Sequence, residues 1–256
     1  MTTLREAGCV FAEDEARVLV SAASTSEALA AMVDRRAAGV PLEHVLGWAE
    51  FCGLRIGVER GVFVPRRRTE FLVREAAALS RTGAVVVDLC CGSGAVGAAL
   101  ASAVDGVELH AVDIDVAAVR CARRNVAGAR GVVYEGDLVE PLPANLRGRV
   151  DVIVANAPYV PTRSIELLPA EARLHEPRGA LDGGVDGTDV QLRVIAVAPE
   201  WLAPGGHVLI EASERQAPAL REAAISAGLV ARVTSSADLD ATVVIGSHTG
   251  TRRAGR

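Results

Sequence analysis

Residues 84–97 read AVVVDLCCGSGAVG: a run of three valines that meets an acid at Asp88, a glycine turn, and the start of a small-residue helix. An unbroken β-branched run of this kind suits a strand buried on both faces. Gly92, Gly94 and Gly97 stand as G-x-G-x-x-G where that strand gives way to a helix. Working outward, VELHAVDID, VAAVRCARRNV, GVVYEGD and DVIVAN alternate strand and helix patterns. That alternation predicts a doubly wound, mostly parallel α/β sheet. A Pro- and Gly-containing stretch from Ala157 to Gly187 follows, then a helix around Val190 to Leu202, the strand HVLIEAS, a helix around Ala217 to Ala227, and two strands ending at Ser247. A structureless connection as long as 157–187 inside a compact domain is usually functional.

On the amino-terminal side, residues from about Ala12 to Val40 carry apolar positions at helical spacing, with Ser24, Thr25 and Ser26 between two short helices. β-prone runs at Leu54 to Val58 and Val62 to Val64 predict a hairpin or two-strand linker, after which Thr69 and Glu70 open a helix. The expected organisation is a helical appendage over 1–50, a hairpin linker over 51–68, the sheet domain over 69–248 and a disordered tail over 249–256.

Half of the 256 residues are hydrophobic, every basic residue is Arg, and the net charge is −5. No basic run follows a duplex backbone, so nucleic acid is disfavoured as the direct substrate. Five cysteines without C-x-x-C spacing and scattered histidines suggest neither disulfides nor a metal site. The acidic start of the chain does not read as a signal peptide, and no segment approaches a membrane span, so a cytoplasmic protein is expected.

The glycine turn fits both a dinucleotide and S-adenosylmethionine; Asp88 separates them. A carboxylate facing the turn would repel a pyrophosphate and attract the ammonium of S-adenosylmethionine. Asp113, at the end of the next strand, is placed to accept from ribose hydroxyls, and Asp137 to accept from an adenine amino group or to cap a turn. Asp115 is read as the N-cap of the following helix. Cys90, Ile114 and Leu138 adjoin these positions and are counted with them in the cofactor set.

In DVIVANAPY, Asp151 to Tyr159, a buried strand stops at a polar Asn156. An amide nitrogen is a poor nucleophile because its lone pair is delocalised. If the Asn156 side-chain oxygen and the Ala157 carbonyl each accept one of its hydrogens, the lone pair turns toward an in-line methyl. Asn156 thus borders both the cofactor and the acceptor. Pro158 fixes the turn, and Tyr159 supplies a flat wall or simply packs.

These residues carry a resemblance. The chain resembles the release-factor type of protein-glutamine N-methyltransferase, a family of seven-stranded class I methyltransferases with a small amino-terminal helical domain. The likeness runs from roughly Arg35 to Ser247, through the linker GVPLEHVLGWAEFCGLRIGVERGVFVPRRRTE, the turn VVVDLCCGSGAVGAAL and the stretch HEPRGALDGGVDGTD. It implies that Asp88, Gly92, Gly94, Asp113 and Asp137 line S-adenosylmethionine and that Asn156, Ala157, Pro158 and Tyr159 hold a substrate glutamine. It implies a protein partner, a release factor or ribosomal protein, and leaves the oligomeric state open. The chain departs from the family in three places: Ala157 replaces a proline, Arg67 and Arg68 replace a proline and an acid, and the appendage is short. The competing expectations are a nucleobase or small-molecule amino-methyltransferase, a non-catalytic cofactor-binding module, and, more distantly, an NAD-dependent oxidoreductase.

Overall fold

The computed structural model describes residues 2–250. Four helices open the chain: α1 (Thr2–Glu6), α2 (Ala12–Ala22), α3 (Ser26–Ala37) and α4 (Leu42–Leu46). They enclose a core of their own around Leu4, Ala12, Leu19 and Val45. Thr25 starts α3 as its N-cap, accepting from the Ala28 N–H at 3.1 Å.

A two-stranded antiparallel hairpin follows, β1 (Trp48–Phe51) and β2 (Leu54–Gly57). It begins three residues before the boundary expected at 51. The second β-prone run, Val62 to Val64, is not a strand. Val62 and Val64 are nevertheless buried, packed with Ala49 and Val58 against Cys121. Their apolar character serves packing rather than a ladder. After a single 3-10 turn at Arg67–Thr69 comes α5 (Glu70–Leu79); the Thr69 side chain does not cap it.

The main sheet is built from β3 (Val85–Leu89), α6 (Ala95–Ala103), β4 (Glu108–Asp113), α7 (Val116–Asn125), β5 (Val132–Glu135) and β6 (Val150–Ala155), then α8 (Ala170–His175), α9 (Asp189–Trp201), β7 (Leu202–Ala212), α10 (Ala217–Ser226), β8 (Val230–Ser236) and β9 (Ala241–Ser247). Its seven strands lie in the order β5-β4-β3-β6-β7-β9-β8. The pairs from β5 to β7 are parallel, and β9 runs antiparallel to both its neighbours. Every residue of β3 and β6 is buried. Their alternating side chains feed two cores: Val86, Val152 and Val154 pack with residues of α5, α6 and α7, while Val85, Val87 and Ile153 pack with α9 and α10.

This sheet is the class I methyltransferase arrangement that the resemblance implied. The chain leaves β3 toward β4 and β5, then returns to the other side of β3 as β6. Open α/β sheets bind ligands in the crevice at such a reversal. Leu89 pairs with Ala155 there, so Cys90 and Asn156 emerge side by side.

The stretch 157–187 is not the structureless connection its composition suggested. It holds 3-10 turns at Thr162–Leu167 and Arg178–Ala180 as well as α8, and a bridge joins Val160 to Asp182. The expected disordered tail falls, from residue 251 onward, outside the described residues.

Candidate functional site

A cavity of about 340 Å³ opens at the carboxyl ends of β3, β4 and β5. Asp88, Cys90, Gly92, Asp113, Ile114, Asp137, Leu138, Asn156 and Pro158 all lie on its wall. Two of them are bent into the left-handed region that side chains disfavour: φ is 56° at Cys90 and 47° at Leu138. Gly94 does not reach this cavity. It begins α6 at φ 76°, and a Cβ there would come within 3.0 Å of Ala122, so the turn packs closely on α7 at this point.

The acids differ in their partners. Asp88 is 1% exposed and accepts from the Gly97 N–H at 2.9 Å. Burial pushes its carboxyl up to about 7, the Gly97 N–H opposing and the Asp113 charge adding. Asp113 accepts from the Gly92 N–H at 2.8 Å with one oxygen and from the Asp115 N–H at 2.9 Å with the other. Burial raises its pKa as well, against those two hydrogen bonds. Each carboxylate oxygen retains a lone pair for a further donor. Asp115 caps α7 as expected, accepting from Ala117 and Ala118. Asp137 is neither a cap nor free: Arg193 on α9 donates to it at 2.7 Å.

A second cavity of about 310 Å³ adjoins the first, and Asn156, Phe63 and Ala180 belong to both. Ala157, Tyr159, Arg66 and Arg68 line only the second. The Asn156 amide nitrogen donates to the Thr69 hydroxyl at 3.2 Å. Its side-chain oxygen is therefore the end left for an incoming donor. Burial raises the Tyr159 phenol, which Arg68 faces.

The turn is clasped by the stretch that follows it. Val160 donates to the Leu181 carbonyl at 2.9 Å and receives the Gly183 N–H on its own carbonyl at 2.9 Å. The Gln216 amide donates to the Tyr159 carbonyl at 2.9 Å. Gly183 lies so close that a Cβ would stand 2.6 Å from the Pro158 carbonyl oxygen. Glu176 joins this stretch to the linker, accepting from the Val64 N–H at 3.0 Å and pairing with Arg66.

Bacterial relatives match the chain over most of its length, two of them as follows. The release factor glutamine methyltransferase of Geobacter sulfurreducens is 42% identical over 188 residues, 73% of this chain and 65% of that protein. That of Mycolicibacterium smegmatis is 39% identical over 232 residues, 88% of this chain and 82% of the relative. The methyltransferase small domain is matched over residues 55–184. The chain belongs to the release factor glutamine methyltransferase family. A solved methyltransferase from Pyrococcus furiosus superimposes with a TM-score of 0.58 at 19% identity, covering 78% of this chain and 90% of that one, and shares the fold.

Ala157 is 1% exposed, and the chain three residues further on is held at Val160 by backbone hydrogen bonds to Leu181 and Gly183. Three residues of the site carry roles that the sequence pattern does not announce: Thr69, which reads as a helix opener, Arg193 and Glu176. Glu176 lies inside the quoted HEPRGALDGGVDGTD stretch, which was the available signal. Arg193 sits in a helix pattern that carries none. Among the described residues no His, Cys, Asp and Glu converge as a metal site, and no helix is long and apolar enough to cross a membrane.

Proposed function

We propose that the chain methylates the side-chain amide nitrogen of a glutamine in a peptide release factor, in the cytoplasm, with S-adenosylmethionine as donor. The observation that supports this reading is Asn156: it is shared by two adjoining cavities, and its amide nitrogen is already engaged, which leaves its oxygen for an acceptor's N–H.

The first cavity fits the cofactor. Asp88 suits an ammonium, and Asp113 keeps acceptor capacity for ribose hydroxyls. Ile114 is an apolar side chain left 71% exposed at the rim, a surface that a purine would cover. Asp137, already paired with Arg193, has its second oxygen for an adenine amino group. Cys90, Gly92 and Leu138 would form the wall. When bound, S-adenosylmethionine supplies an electrophilic methyl carried on a sulfonium.

The protein's own part is orientation and charge. The Asn156 side-chain oxygen and the Ala157 carbonyl accept the two hydrogens of a glutamine amide, turning its lone pair toward the first cavity. They also stabilise the positive charge that develops on that nitrogen. Pro158 and the clasp from Gly183 hold the two acceptors in place, and Tyr159 bounds the planar amide. No strong base is needed, because the extra proton is acidic and leaves to water. Glu43, Glu171 and Glu176 border the acceptor cavity beside Arg66 and Arg68. That mixed lining speaks against a phosphate-bearing nucleobase substrate.

The test is transfer of labelled methyl from S-adenosylmethionine into purified release factors and ribosomal proteins. Label is expected on one glutamine of a release factor. With Asn156→Ala the rate should fall by about a hundredfold, the scale of losing one preorganised acceptor, while affinity for S-adenosylhomocysteine is retained. Label only on a ribosomal protein would reassign the partner; no label on any protein, with cofactor affinity intact, would refute the reading.

A further inference from the structure

Glu211 is 2% exposed on β7, and among the described residues neither of its carboxyl oxygens has a hydrogen bond of ordinary geometry. Burying a carboxyl in that state is costly, and an apolar side chain would fill the space without the cost. Its surroundings give the group a use. Ile210 pairs with Ala155 across β6 and β7, so the next residues, Glu211 and Asn156, stand side by side at the strand ends; the Thr69 hydroxyl and the Arg68 guanidinium favour the charged form of Glu211 against the burial that raises its pKa. Thr69 is itself 2% exposed and accepts the Asn156 amide N–H at 3.2 Å.

We infer that Thr69 and Glu211 form a positioning relay behind Asn156 that keeps its side-chain oxygen toward the acceptor. The inference rests on the proposed amide methylation and adds two residues to it. The two ends of an Asn side chain have almost the same shape, so packing alone does not choose between them. Hydrogen-bond polarity does. A hydroxyl has a single proton. If Thr69 gives that proton to the Glu211 carboxylate, its oxygen is left to accept, and only the NH2 end of Asn156 satisfies it. Without Glu211 the hydroxyl is free to donate instead, and the Asn156 oxygen turns back to meet it. The three residues come from the linker exit, the end of β6 and β7, so the relay forms only in the finished fold.

Two pairs of substitutions separate relay from packing. Thr69→Val keeps the shape and removes the hydroxyl, whereas Thr69→Ser keeps the hydroxyl; Glu211→Met removes the acceptor, whereas Glu211→Gln keeps one. Thr69→Val and Glu211→Met should each lower kcat by about tenfold or more, with S-adenosylhomocysteine affinity within about twofold of wild type. Thr69→Ser and Glu211→Gln should stay near wild type. Combining the two damaging changes should cost no more than the worse one, because both break the same relay.

A second readout needs no turnover. In protein carrying nitrogen-15 in its Asn side chains, the Asn156 NH2 signal, assigned by its loss in Asn156→Ala, should be protected from exchange in wild type and Thr69→Ser and unprotected in Thr69→Val. Equal kcat for Thr69→Val and Thr69→Ser, or an unchanged Asn156 signal in Thr69→Val, would overturn the relay. If Glu211→Met does not fold, the Thr69 pair decides alone. If wild type methylates no release factor, the functional reading fails, and the Asn156 signal still judges the relay.

Discussion

Asp88 accepts from the Gly97 N–H and has almost no exposed surface. Its carboxyl is pushed up to about 7 in the folded chain, against about 3.9 in an unfolded one. Between those values the folded state holds a proton that the unfolded state has released. Stability therefore falls as pH rises through that window and levels off above about 7. Burial raises Asp113 and Glu211 in the same direction, so they steepen the slope. In urea titrations the free protein should have a lower midpoint at pH 8 than at pH 5, and Asp88→Asn should shrink that difference. The same ionisation creates the charge that an ammonium meets. Calorimetry should find S-adenosylhomocysteine bound more tightly at pH 8 than at pH 6, with the difference reduced in Asp88→Asn; the same difference in both proteins would take Asp88 out of the cofactor site.

Gly183 gives a steric counterpart. Its missing Cβ would lie 2.6 Å from the Pro158 carbonyl oxygen and 2.7 Å from that of Gly187. Both neighbours are backbone, so the turn must move. Gly183→Ala should cost about 1–3 kcal/mol of stability, as overpacking does, and lower turnover more than cofactor affinity. At this scale the acids were legible because Asp88 and Asp113 stand at strand ends and Asp137 just past one, where chain order alone predicts a place on the crevice wall. The contact between Thr69 and Asn156 was not, because the two stand 87 residues apart in the chain.

Elements whose burial comes from the sheet were legible, and elements whose burial comes from elsewhere were not. The valines of β3 and the run Val152 to Val154 in β6 read directly as buried strands. Val62 and Val64 looked the same, but they are coil residues held against Cys121 of α7. The hairpin is tied to that same helix by Asn125. Its side-chain oxygen accepts from the Gly57 N–H at 2.9 Å, and its amide donates to the carbonyls of Gly57 and Ser93, each at 2.8 Å. One side chain thus joins β2, α7 and the glycine turn. Replacing it strands three backbone groups at a part-buried junction. Asn125→Leu should cost about 2–4 kcal/mol, at roughly 1 kcal/mol or more per stranded group. Because Ser93 lies on the cofactor cavity, S-adenosylhomocysteine affinity should fall too; a stability loss with affinity unchanged would mean that the turn holds its shape unaided.

For the whole molecule, alternation of strand and helix sufficed to predict the sheet, whereas the relation between the appendage and the site did not show in the sequence at all. That relation runs through Arg36 of α3. Its side chain is 7% exposed, pairs with Glu15 of α2 at 2.6 Å and with Glu171 of α8 at 2.7 Å, and Glu171 borders the acceptor cavity. Arg36→Met should lower stability by about 2 kcal/mol, between the limits for exposed and buried pairs. It should raise KM for the protein acceptor while leaving cofactor affinity unchanged. Equal effects on both ligands would make Arg36 purely structural.

The position of β9 bears on how the chain comes off the ribosome. β9 lies between β7 and β8, although it follows both in the sequence. Chains are made in order and fold as they emerge, so β5, β4, β3, β6 and β7 can assemble the cofactor crevice first. Until residues 241–247 arrive, β7 keeps one edge without its partner strand and β8 has nothing to pair with, and both are open to strands of neighbouring chains. A stalled or prematurely ended chain would therefore combine an intact cofactor pocket with a sheet edge prone to aggregation.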